Sequence, residues 1–332
     1  MSKVGVLLLN MGGPDSLNAI EPFLYNLFSD HDIIEIPRLI QKPVAKLISK
    51  IRAKKTMHYY QVMGGKSPQR EQTEEQAKAL QKALGEDFKV LVAMRYWKPF
   101  TEEALRELMK EDIKKIILLP MYPQYSKTTT GSSFNEFDRV FRRLLGRGKY
   151  MTLSTIRGQK APYFYPSPVE VKKINCYFDH PLYIKAMVEN IKENLPNYKE
   201  YFFVFTAHSL PVKVIQRGDP YKHQTEKTVE LIMEHFPGIP YALGYQSKIG
   251  PVKWLEPFTD MLIEELITKG YKKIAVIPVS FTCEHSETLY ELDVQYKSLA
   301  ESLGVESFVR IPTLKTHPTF IEALKDLVLK AL

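Results

Sequence analysis

Short apolar runs, separated by segments of helical periodicity, constrain the fold of this 332-residue chain more than any other feature. The first run covers residues 4–9 and ends at a Gly-Gly-Pro turn, and comparable runs lie at residues 90–93 and 116–119. Apolar runs without polar alternation are typical of strands that are buried on both faces of a parallel sheet. The amphipathic segments between them, one of which begins near Thr101, therefore predict an α/β fold with parallel sheets.

The pattern recurs in the second half of the chain, with apolar runs at residues 202–205, 241–243 and 274–277. Lys-Lys-Ile-Ile-Leu-Leu-Pro at residues 114–120 resembles Lys-Lys-Ile-Ala-Val-Ile-Pro at residues 272–278. Each copy follows an amphipathic segment and ends in a polar loop. This echo predicts that the chain contains two similar α/β halves.

We place the first domain at residues 1–148 and the second at residues 149–314, with the seam in a Gly- and Arg-rich turn at residues 146–149. A helix is expected at about residues 315–332. Either half of the chain could pack against it, and we assign it to the first. Open parallel sheets bind ligands at the carboxyl ends of their strands. A ligand site is therefore expected in a cleft between the two halves.

Composition and charge narrow the class of partner. The net charge is +8 and the sequence pI is about 9.1, which suits an acidic substrate, a membrane surface or nucleic acid. Nucleic acid ranks last, because the basic residues are spread along the chain rather than massed in one block. The two cysteines predict neither a disulfide framework nor a four-cysteine metal site. With no signal peptide or membrane span expected, we predict a cytoplasmic protein.

The stretch at residues 281–293, Phe-Thr-Cys-Glu-His-Ser-Glu-Thr-Leu-Tyr-Glu-Leu-Asp, follows the last apolar run. With α-helical periodicity, Glu284, Glu287 and Glu291 share one face, and His285 lies on a neighbouring face. A solvated acidic helix face explains the stripe. The alternative is a path for a cation or for protons, which the position just past a strand end favours.

A second candidate is His208, in the sequence Ala-His-Ser-Leu-Pro directly after another predicted strand. A lone histidine is more often structural than catalytic. Here the imidazole and the Glu287 carboxylate are expected to face each other across a cleft, a donor pair that suits Fe²⁺, Co²⁺, Ni²⁺ or Zn²⁺. Because the His-Glu-x-x-His pattern is absent, such a metal is expected to be loosely held.

The predicted amphipathic helix at residues 39–55 carries Ile40, Val44, Leu47, Ile48 and Ile51 on one face, with basic residues largely elsewhere. Packing against the core is the usual explanation of such a face. The alternatives are a lid over an apolar ligand and a helix that lies on a membrane surface.

Taken together, the motifs resemble the ferrochelatase family, whose members insert Fe²⁺ into a porphyrin in haem synthesis. The resemblance runs from residue 4 to at least residue 327. Its motifs are LNMGGP (9–14), GGKSP (64–68), MRYWKPF (94–100), YPQYS (122–126), TTGSS (129–133), AHSLP (207–211), RGDPY (217–221), YQSKIGPVKWL (245–255) and HSETLYELD (285–293). It implies two Rossmann-like, chelatase-type domains with the active site in the cleft between them.

The resemblance also implies roles for individual residues. His208 and Glu287 correspond to the metal and proton residues, and Glu284 and Glu291 extend an acidic relay behind Glu287. The residues that would line or edge the porphyrin pocket are Met11, Arg52, Tyr60, Ser67, Arg95, Trp254 and His285. Met11 favours protoporphyrin, because members that use coproporphyrin tend to carry tyrosine there. An iron–sulfur cluster is not expected, since Lys127 occupies the position of its internal cysteine.

The predicted function is insertion of Fe²⁺ into protoporphyrin IX with release of two protons, by a lyase without a tightly bound cofactor. Alternatives are a chelatase for another tetrapyrrole or metal, such as coproporphyrin with iron, or cobalt, and a non-catalytic haem- or metallophore-binding protein. The predicted partners are porphyrin and ferrous iron, without nucleic acid. The helix at residues 39–55 is the predicted peripheral contact with the inner face of a membrane.

Overall fold

The computed structural model of the protein describes residues 3–145 and 169–332. The chain divides into two compact units, which we call unit 1 (Met1–Cys176 with Ile321–Leu332) and unit 2 (Tyr177–Phe320). The predicted domain boundary and the seam at residues 146–149 fall outside the described residues, and they stay predictions.

Unit 1 contains a four-stranded parallel sheet with the strand order β2-β1-β3-β4. Its strands are β1 (Lys3–Asn10), β2 (Phe88–Met94), β3 (Ile113–Pro120) and β4 (Glu170–Lys173). Its helices are a 3₁₀ turn (Leu17–Ala19), α1 (Ile20–Phe28), α2 (Arg38–Val62), α3 (Gln69–Leu84), α4 (Thr101–Leu108), a π-helix π1 (Lys127–Gly131) and α5 (Ser132–Leu145).

Two apolar clusters stabilise unit 1. In the first, Leu7 and Leu118 of the sheet pack with Leu105 of α4 and with Phe137 and Phe141 of α5, all of them almost fully buried. Burial of each such side chain contributes about 1.5–3 kcal/mol. The second cluster lies around α1 and α2, and Tyr60 and Tyr96 belong to it.

Unit 2 repeats this plan in a parallel sheet with the order β6-β5-β7-β8. Its strands are β5 (Phe202–His208), β6 (Tyr241–Gln246), β7 (Lys273–Pro278) and β8 (Ser307–Arg310). Its helices are α6 (Pro181–Asn194), a 3₁₀ turn (Tyr198–Glu200), α7 (Val212–Gln216), α8 (Tyr221–Met233), α9 (Thr259–Thr268), a π-helix π2 (Glu287–Tyr296) and α10 (Lys297–Ser302). The last helix, α11 (Pro318–Lys330), begins in unit 2, and its residues from Ile321 group with unit 1.

The repeat extends to individual hydrogen bonds. The last residue of β2 donates its N–H to Pro99 O (2.7 Å), and Tyr245 near the end of β6 donates to Pro257 O (2.8 Å). Each proline is followed by phenylalanine and then by the threonine that begins α4 or α9. The prediction of an α/β fold with two similar parallel-sheet halves is confirmed.

The six strands predicted from apolar runs are present, whereas the edge strands β4 and β8 were not predicted. Both have four residues, and their sequences, Glu-Val-Lys-Lys and Ser-Phe-Val-Arg, lack an apolar run. An edge strand has one neighbour, so it tolerates polar residues that a central strand would not.

Helix α2 does not bury the face that its apolar pattern suggests. Its buried positions include the small side chains of Ala45, Ser49 and Ala53. Ile40, Leu47 and Ile51 are instead 48%, 61% and 65% exposed. Core packing is therefore the wrong interpretation for these three residues, because small side chains, rather than large ones, allow this helix to lie close to α1.

Candidate active site

His208 is the last residue of β5, the strand at which the order of the unit 2 sheet reverses. The chain adds β6 on one side of β5 and then β7 on the other. Ligands of open α/β sheets bind at such a switch point, outside the carboxyl ends of the strands. The segment that follows β7 carries Glu284, Glu287 and Glu291, so the topology brings these carboxylates to the same edge as His208.

Hydrogen bonds fix the orientation and the tautomer of the His208 imidazole. Nδ1 lies 2.7 Å from Ser209 O. Because a carbonyl oxygen only accepts, Nδ1 must carry the proton, which leaves the lone pair of Nε2 available for a metal ion or a proton. The backbone is also held, since His208 N–H donates to Ser280 Oγ (3.1 Å) and Tyr221 OH donates to His208 O (2.9 Å).

The acidic stretch is not the α-helix that its periodicity predicts. Glu284 and His285 precede the helix, which is a π-helix from Glu287 to Tyr296. The bond from Lys297 N–H to Leu292 O spans five residues, as the wider π turn requires. The α-helical prediction is therefore wrong, and with it the prediction that all three carboxylates share one helix face.

Glu287 is ionised and lies within electrostatic range of two histidines. Burial alone would raise its pKa, but the His285 and His208 imidazoles and a hydrogen bond from Ser286 Oγ (2.9 Å) hold the pKa below its usual value. The His285 pKa is lowered, because burial outweighs the nearby Glu287 and Glu284 carboxylates. His285 is therefore a neutral ring at neutral pH, packed edge-on to Phe281.

Glu291, one π turn beyond Glu287, titrates in the physiological range. Burial, followed by the negative charge of Glu287, raises its pKa to about 7. Its Oε2 accepts hydrogen bonds from Ser247 Oγ (2.6 Å) and from Gln246 Nε2 (3.0 Å), and these bonds partly oppose the shift. A carboxyl group that is half protonated near pH 7 is able both to take up and to release a proton.

This environment predicts a specific coupling between the two carboxylates. Carbon-13 NMR of the glutamate side chains should show one carboxyl group that titrates near pH 7 and disappears in Glu291→Gln. In Glu287→Gln the same titration should move to lower pH, because the like charge that raises the Glu291 pKa is gone. An unchanged midpoint in Glu287→Gln would show that Glu287 does not act on Glu291.

Glu284 is bound by neighbours of its own. The side chain is 3% exposed, and its two oxygens each lie 3.0 Å from Arg310 Nη1. Thr288 Oγ1 (2.5 Å) and Thr313 N–H (3.1 Å) also donate to it. Burial would raise the Glu284 pKa, but these partners, led by Arg310, lower it. The structure thus places Glu284 in an ion pair beside π2, and its part in an acidic relay stays a prediction.

Among the side chains that the structure describes, no three His, Cys, Asp or Glu groups come together to hold a metal ion. His208 Nε2 and the Glu287 carboxylate provide one nitrogen and one carboxylate donor. Two donors are fewer than the three protein ligands of a catalytic zinc site, and the loosely held metal stays a prediction.

The predicted pocket residues of unit 1 lie around the carboxyl end of β1. Met11 directly follows β1 and packs on the apolar cluster that contains Tyr60. The Arg52 guanidinium lies 5.9 Å from the ring centre of Phe28, in the same cluster. Ser67 is buried and its N–H donates to Pro14 O (2.8 Å), while the Arg95 side chain pairs with Asp30.

Trp254, the remaining predicted pocket residue, belongs to unit 2. It forms an isolated antiparallel bridge with Pro211, three residues after His208. Its indole N–H donates to Ile249 O (3.1 Å), which closes the loop that follows β6. The structure therefore places Trp254 beside the segment that carries His208.

Sequence reasoning missed several polar residues that hold the candidate site. Gln246 links β6 to π2, because its Nε2 donates to Glu287 O (2.9 Å) and its Oε1 accepts from Thr206 Oγ1 (2.8 Å). Arg310 ties Glu284 to Asp293. Gln246 lies within a recognised motif, whereas nothing near Arg310 in the sequence marks its role.

Comparison with solved structures defines the class of fold. The chain is similar to SirB from Bacillus subtilis with Fe³⁺, with a TM-score of 0.56 and 13% identity over 99% of this chain and 95% of that chain. It is also similar to CbiX, described as the terminal enzyme of sirohaem biosynthesis in denitrifying bacteria, with a TM-score of 0.52 and 9% identity over 99% of each chain. At these identities the likeness concerns the fold alone, which is the α/β fold of chelatases.

Sequence comparison then gives the family. The ferrochelatase family model matches residues 3–332. The ferrochelatase of Sulfurihydrogenibium sp. (strain YO3AOP1) is 71% identical over 329 residues, 99% of this chain and 98% of that protein. The ferrochelatase of Aquifex aeolicus (strain VF5) is 61% identical over 326 residues, 98% of each. The chain belongs to the ferrochelatase family, which confirms the predicted lyase class and the insertion of iron into a porphyrin for haem synthesis.

Proposed function

We propose that this chain inserts Fe²⁺ into protoporphyrin IX, with His208 and Glu287 as the residues that meet the metal and the departing protons. The observation that carries the proposal is the bond from Nδ1 of His208 to Ser209 O, which in the neutral imidazole leaves the lone pair on Nε2, within electrostatic range of the ionised Glu287 carboxylate. Met11 supports protoporphyrin as the porphyrin, by the resemblance given above.

The chemistry follows from the substrate and from these side chains. A flat porphyrin hides its nitrogen lone pairs from an incoming metal, so a pocket that binds a bent ring better than a flat one would lower the barrier. Two pyrrole protons must leave as Fe²⁺ enters. His208 Nε2 has the lone pair to accept one of them, and the Glu287 charge stabilises the resulting imidazolium.

Glu291 gives the proton a further acceptor. Its pKa of about 7 lies close to a neutral solvent pH, so a proton that reaches Glu291 is readily released. Gln246 contacts both Glu287 O and the Glu291 carboxylate, which keeps these two groups of π2 in register. Glu284, which accepts the Arg310 hydrogen bonds, would act on this line through its charge.

Turnover by the purified protein tests the proposed function. Fe²⁺ and Co²⁺ are assayed with protoporphyrin IX, coproporphyrin and sirohydrochlorin, and metal insertion is followed by the change in porphyrin absorbance. We expect the highest kcat/KM for Fe²⁺ with protoporphyrin IX. A preference for another tetrapyrrole or for cobalt would assign a different chelatase activity, and binding without turnover would identify a carrier of haem or of a metallophore.

We further propose that α2 makes a peripheral contact with an anionic membrane surface, which would place the protein in the cytoplasm at the inner face. In the part of the chain that the structure describes, no helix has the length and apolar character needed to cross a bilayer. Leu39, Leu47 and Ile51 are nevertheless 94%, 61% and 65% exposed on α2. The helix has seven Lys and Arg residues and no Asp or Glu, and each cation near an anionic surface contributes about 1 kcal/mol.

Vesicle sedimentation tests the α2 contact. The wild-type protein should pellet with vesicles of anionic phospholipid at low salt and remain largely in solution with neutral vesicles. Replacing Leu39, Leu47 and Ile51 together with glutamate should abolish pelleting. The control is Met261→Glu, which changes an apolar side chain of unit 2 that is 58% exposed. Equal pelleting of the triple variant and the wild type would exclude α2 as the contact.

The same proposal includes no tightly bound cofactor and no nucleic-acid partner. Lys127, at the position where some relatives carry a cluster cysteine, pairs with Glu35 (2.7 Å). Iron content and absorbance of the purified protein would check this, because an iron–sulfur cluster gives the protein a visible colour.

A further inference from the structure

Unit 1 contains a polar cluster formed by Asp30, Arg95, Tyr96 and Ser132. Of these four residues, the proposed function uses only Arg95, as a residue of the porphyrin pocket. Asp30 lies just past α1, Arg95 and Tyr96 lie just past β2, and Ser132 begins α5. The Asp30 side chain is 5% exposed and the Arg95 side chain is 18% exposed. A nearly buried carboxylate is thus paired with an arginine that still reaches the surface.

Hydrogen bonds fix one edge of the Arg95 guanidinium. Nη2 donates to Asp30 Oδ2 (2.8 Å), and Nε donates to Ser132 Oγ (2.8 Å). The Ser132 hydroxyl donates in turn to the same Asp30 oxygen, which also accepts from Tyr96 OH (2.7 Å). The guanidinium carbon lies 4.8 Å from the centre of the Tyr96 ring. Asp30 and Ser132 therefore bind the guanidinium along one edge, and Tyr96 covers its face.

The opposite end of the guanidinium remains available. An arginine side chain has five N–H donors, and these two hydrogen bonds use two of them. Among the described residues, none accepts a hydrogen bond from Nη1 of Arg95. The backbone N–H of Arg95 donates to Asn10 O (2.8 Å), and that of Tyr96 donates to Met11 O (2.9 Å), which places the Arg95 backbone beside the carboxyl end of β1. This is the switch-point edge of the unit 1 sheet, where a ligand is expected.

We propose that Asp30 and Ser132 are positioning residues that aim the free end of Arg95 at a carboxylate on the rim of the porphyrin. The inference rests on the proposed function, since it takes the porphyrin as the ligand. A guanidinium end with Nη1 and the second hydrogen of Nη2 matches the two oxygens of a carboxylate. The propionates are the anionic groups of protoporphyrin, which makes them the chemical partner of this cation.

The charge of Asp30 allows positioning to be separated from simple electrostatics. Asp30→Asn removes a negative charge next to Arg95, so attraction between charges alone predicts tighter binding of an anionic porphyrin. Loss of positioning predicts the opposite, because the guanidinium is no longer held at Nη2 by a charged partner. The direction of the change in affinity therefore distinguishes the two roles.

The test compares a porphyrin diacid with its dimethyl ester, which has the same ring without the charges. Binding is measured by porphyrin fluorescence and turnover by absorbance, for the wild type and for Asp30→Asn, Ser132→Ala, Ser132→Thr and Arg95→Met. In Arg95→Met we expect KM for the diacid to rise about tenfold, the loss of one hydrogen-bonded charge contact, with kcat nearly unchanged. Asp30→Asn and Ser132→Ala should raise the KM for the diacid several-fold. Ser132→Thr, which keeps the hydroxyl, should have the KM of the wild type.

Affinity for the dimethyl ester should change in none of these variants. Equal loss of diacid and ester binding in Ser132→Ala, or tighter diacid binding in Asp30→Asn, would overturn the positioning role. If Asp30→Asn does not fold, the comparison of Ser132→Ala with Ser132→Thr still tests the positioning role. A wild type that binds and metallates neither porphyrin would instead contradict the proposed function, and the two failures are thereby distinguishable.

Discussion

Replacing His208 with alanine should reduce Fe²⁺ insertion by about 10²–10⁴-fold, the usual contribution of a positioned acid–base group, while leaving porphyrin affinity nearly unchanged. The variant loses Nε2, the ring nitrogen whose lone pair is left available when Nδ1 donates to Ser209 O. Porphyrin binding is expected to persist, because the substitution changes none of the residues proposed to bind the porphyrin. Turnover is measured with saturating Fe²⁺ and Zn²⁺, and porphyrin binding by fluorescence.

A matched control is available in the same unit. His235 is exposed and follows α8, away from the carboxyl ends of the strands. His235→Ala should retain wild-type kcat and KM. Near-normal turnover of His208→Ala would reject His208 as the residue that meets the metal and the protons, whereas parallel losses in both variants would point to a general effect on folding.

The second large effect concerns stability rather than catalysis. Arg310 Nη1 contacts the Glu284 carboxylate, and its Nε and Nη2 donate to Asp293 of π2 (2.7 and 2.8 Å). In Arg310→Met the buried Glu284 carboxylate would lose its nearer charged partner, with Lys315 Nζ left at 3.8 Å. Breaking one side of a buried ion pair costs about 3–5 kcal/mol. We expect the free energy of unfolding, measured by urea titration, to fall by an amount of this order.

The control for Arg310 is an exposed ion pair of unit 2. Lys222 and Glu226 are both 42% exposed on α8, and such surface pairs contribute about 0–1 kcal/mol. Lys222→Met should therefore leave the urea midpoint almost unchanged. Equal, small effects of Lys222→Met and Arg310→Met would show that the Glu284 ion pair does not stabilise unit 2.

The same ion pair predicts how stability depends on pH. The folded-state pKa of Glu284 is lower than its ordinary value of 4.5. Its contribution is therefore complete above pH 4.5 and is lost as the pH falls through the lower, folded-state value. Glu284→Gln should be less stable than the wild type at pH 7 and should lose less stability on acidification. Parallel stability–pH curves for the two proteins would contradict this account.

Much of the fold could be predicted because its signals are local. Each of the six predicted strands is a continuous apolar run, and a strand end followed by His208 or by the Glu287 segment indicates a switch-point site without further knowledge. The wide turn of π2 could not be predicted, because residues four apart in sequence fit an α-helical face equally well. The prediction of which side of α2 packs against the core was wrong. The sequence pattern shows that the helix has an apolar face, but it does not show whether that face contacts the core or the solvent.

The polar networks were not predictable for a different reason. Arg95 and Asp30 are 65 residues apart, and Arg310 and Glu284 are 26 residues apart. Pairs of this kind depend on where the folded chain brings two side chains, and a single sequence contains no local trace of that. The resemblance to a family named pocket positions such as Arg95, but the partners that hold them became visible only in the structure.

Zinc-edge anomalous diffraction from a crystal soaked in Zn²⁺ would locate the metal directly. We expect a peak about 2.0–2.2 Å from His208 Nε2 and from a Glu287 oxygen, the usual lengths for zinc with nitrogen and oxygen ligands. A peak at Cys283 or at Glu284, with none beside Nε2, would contradict it.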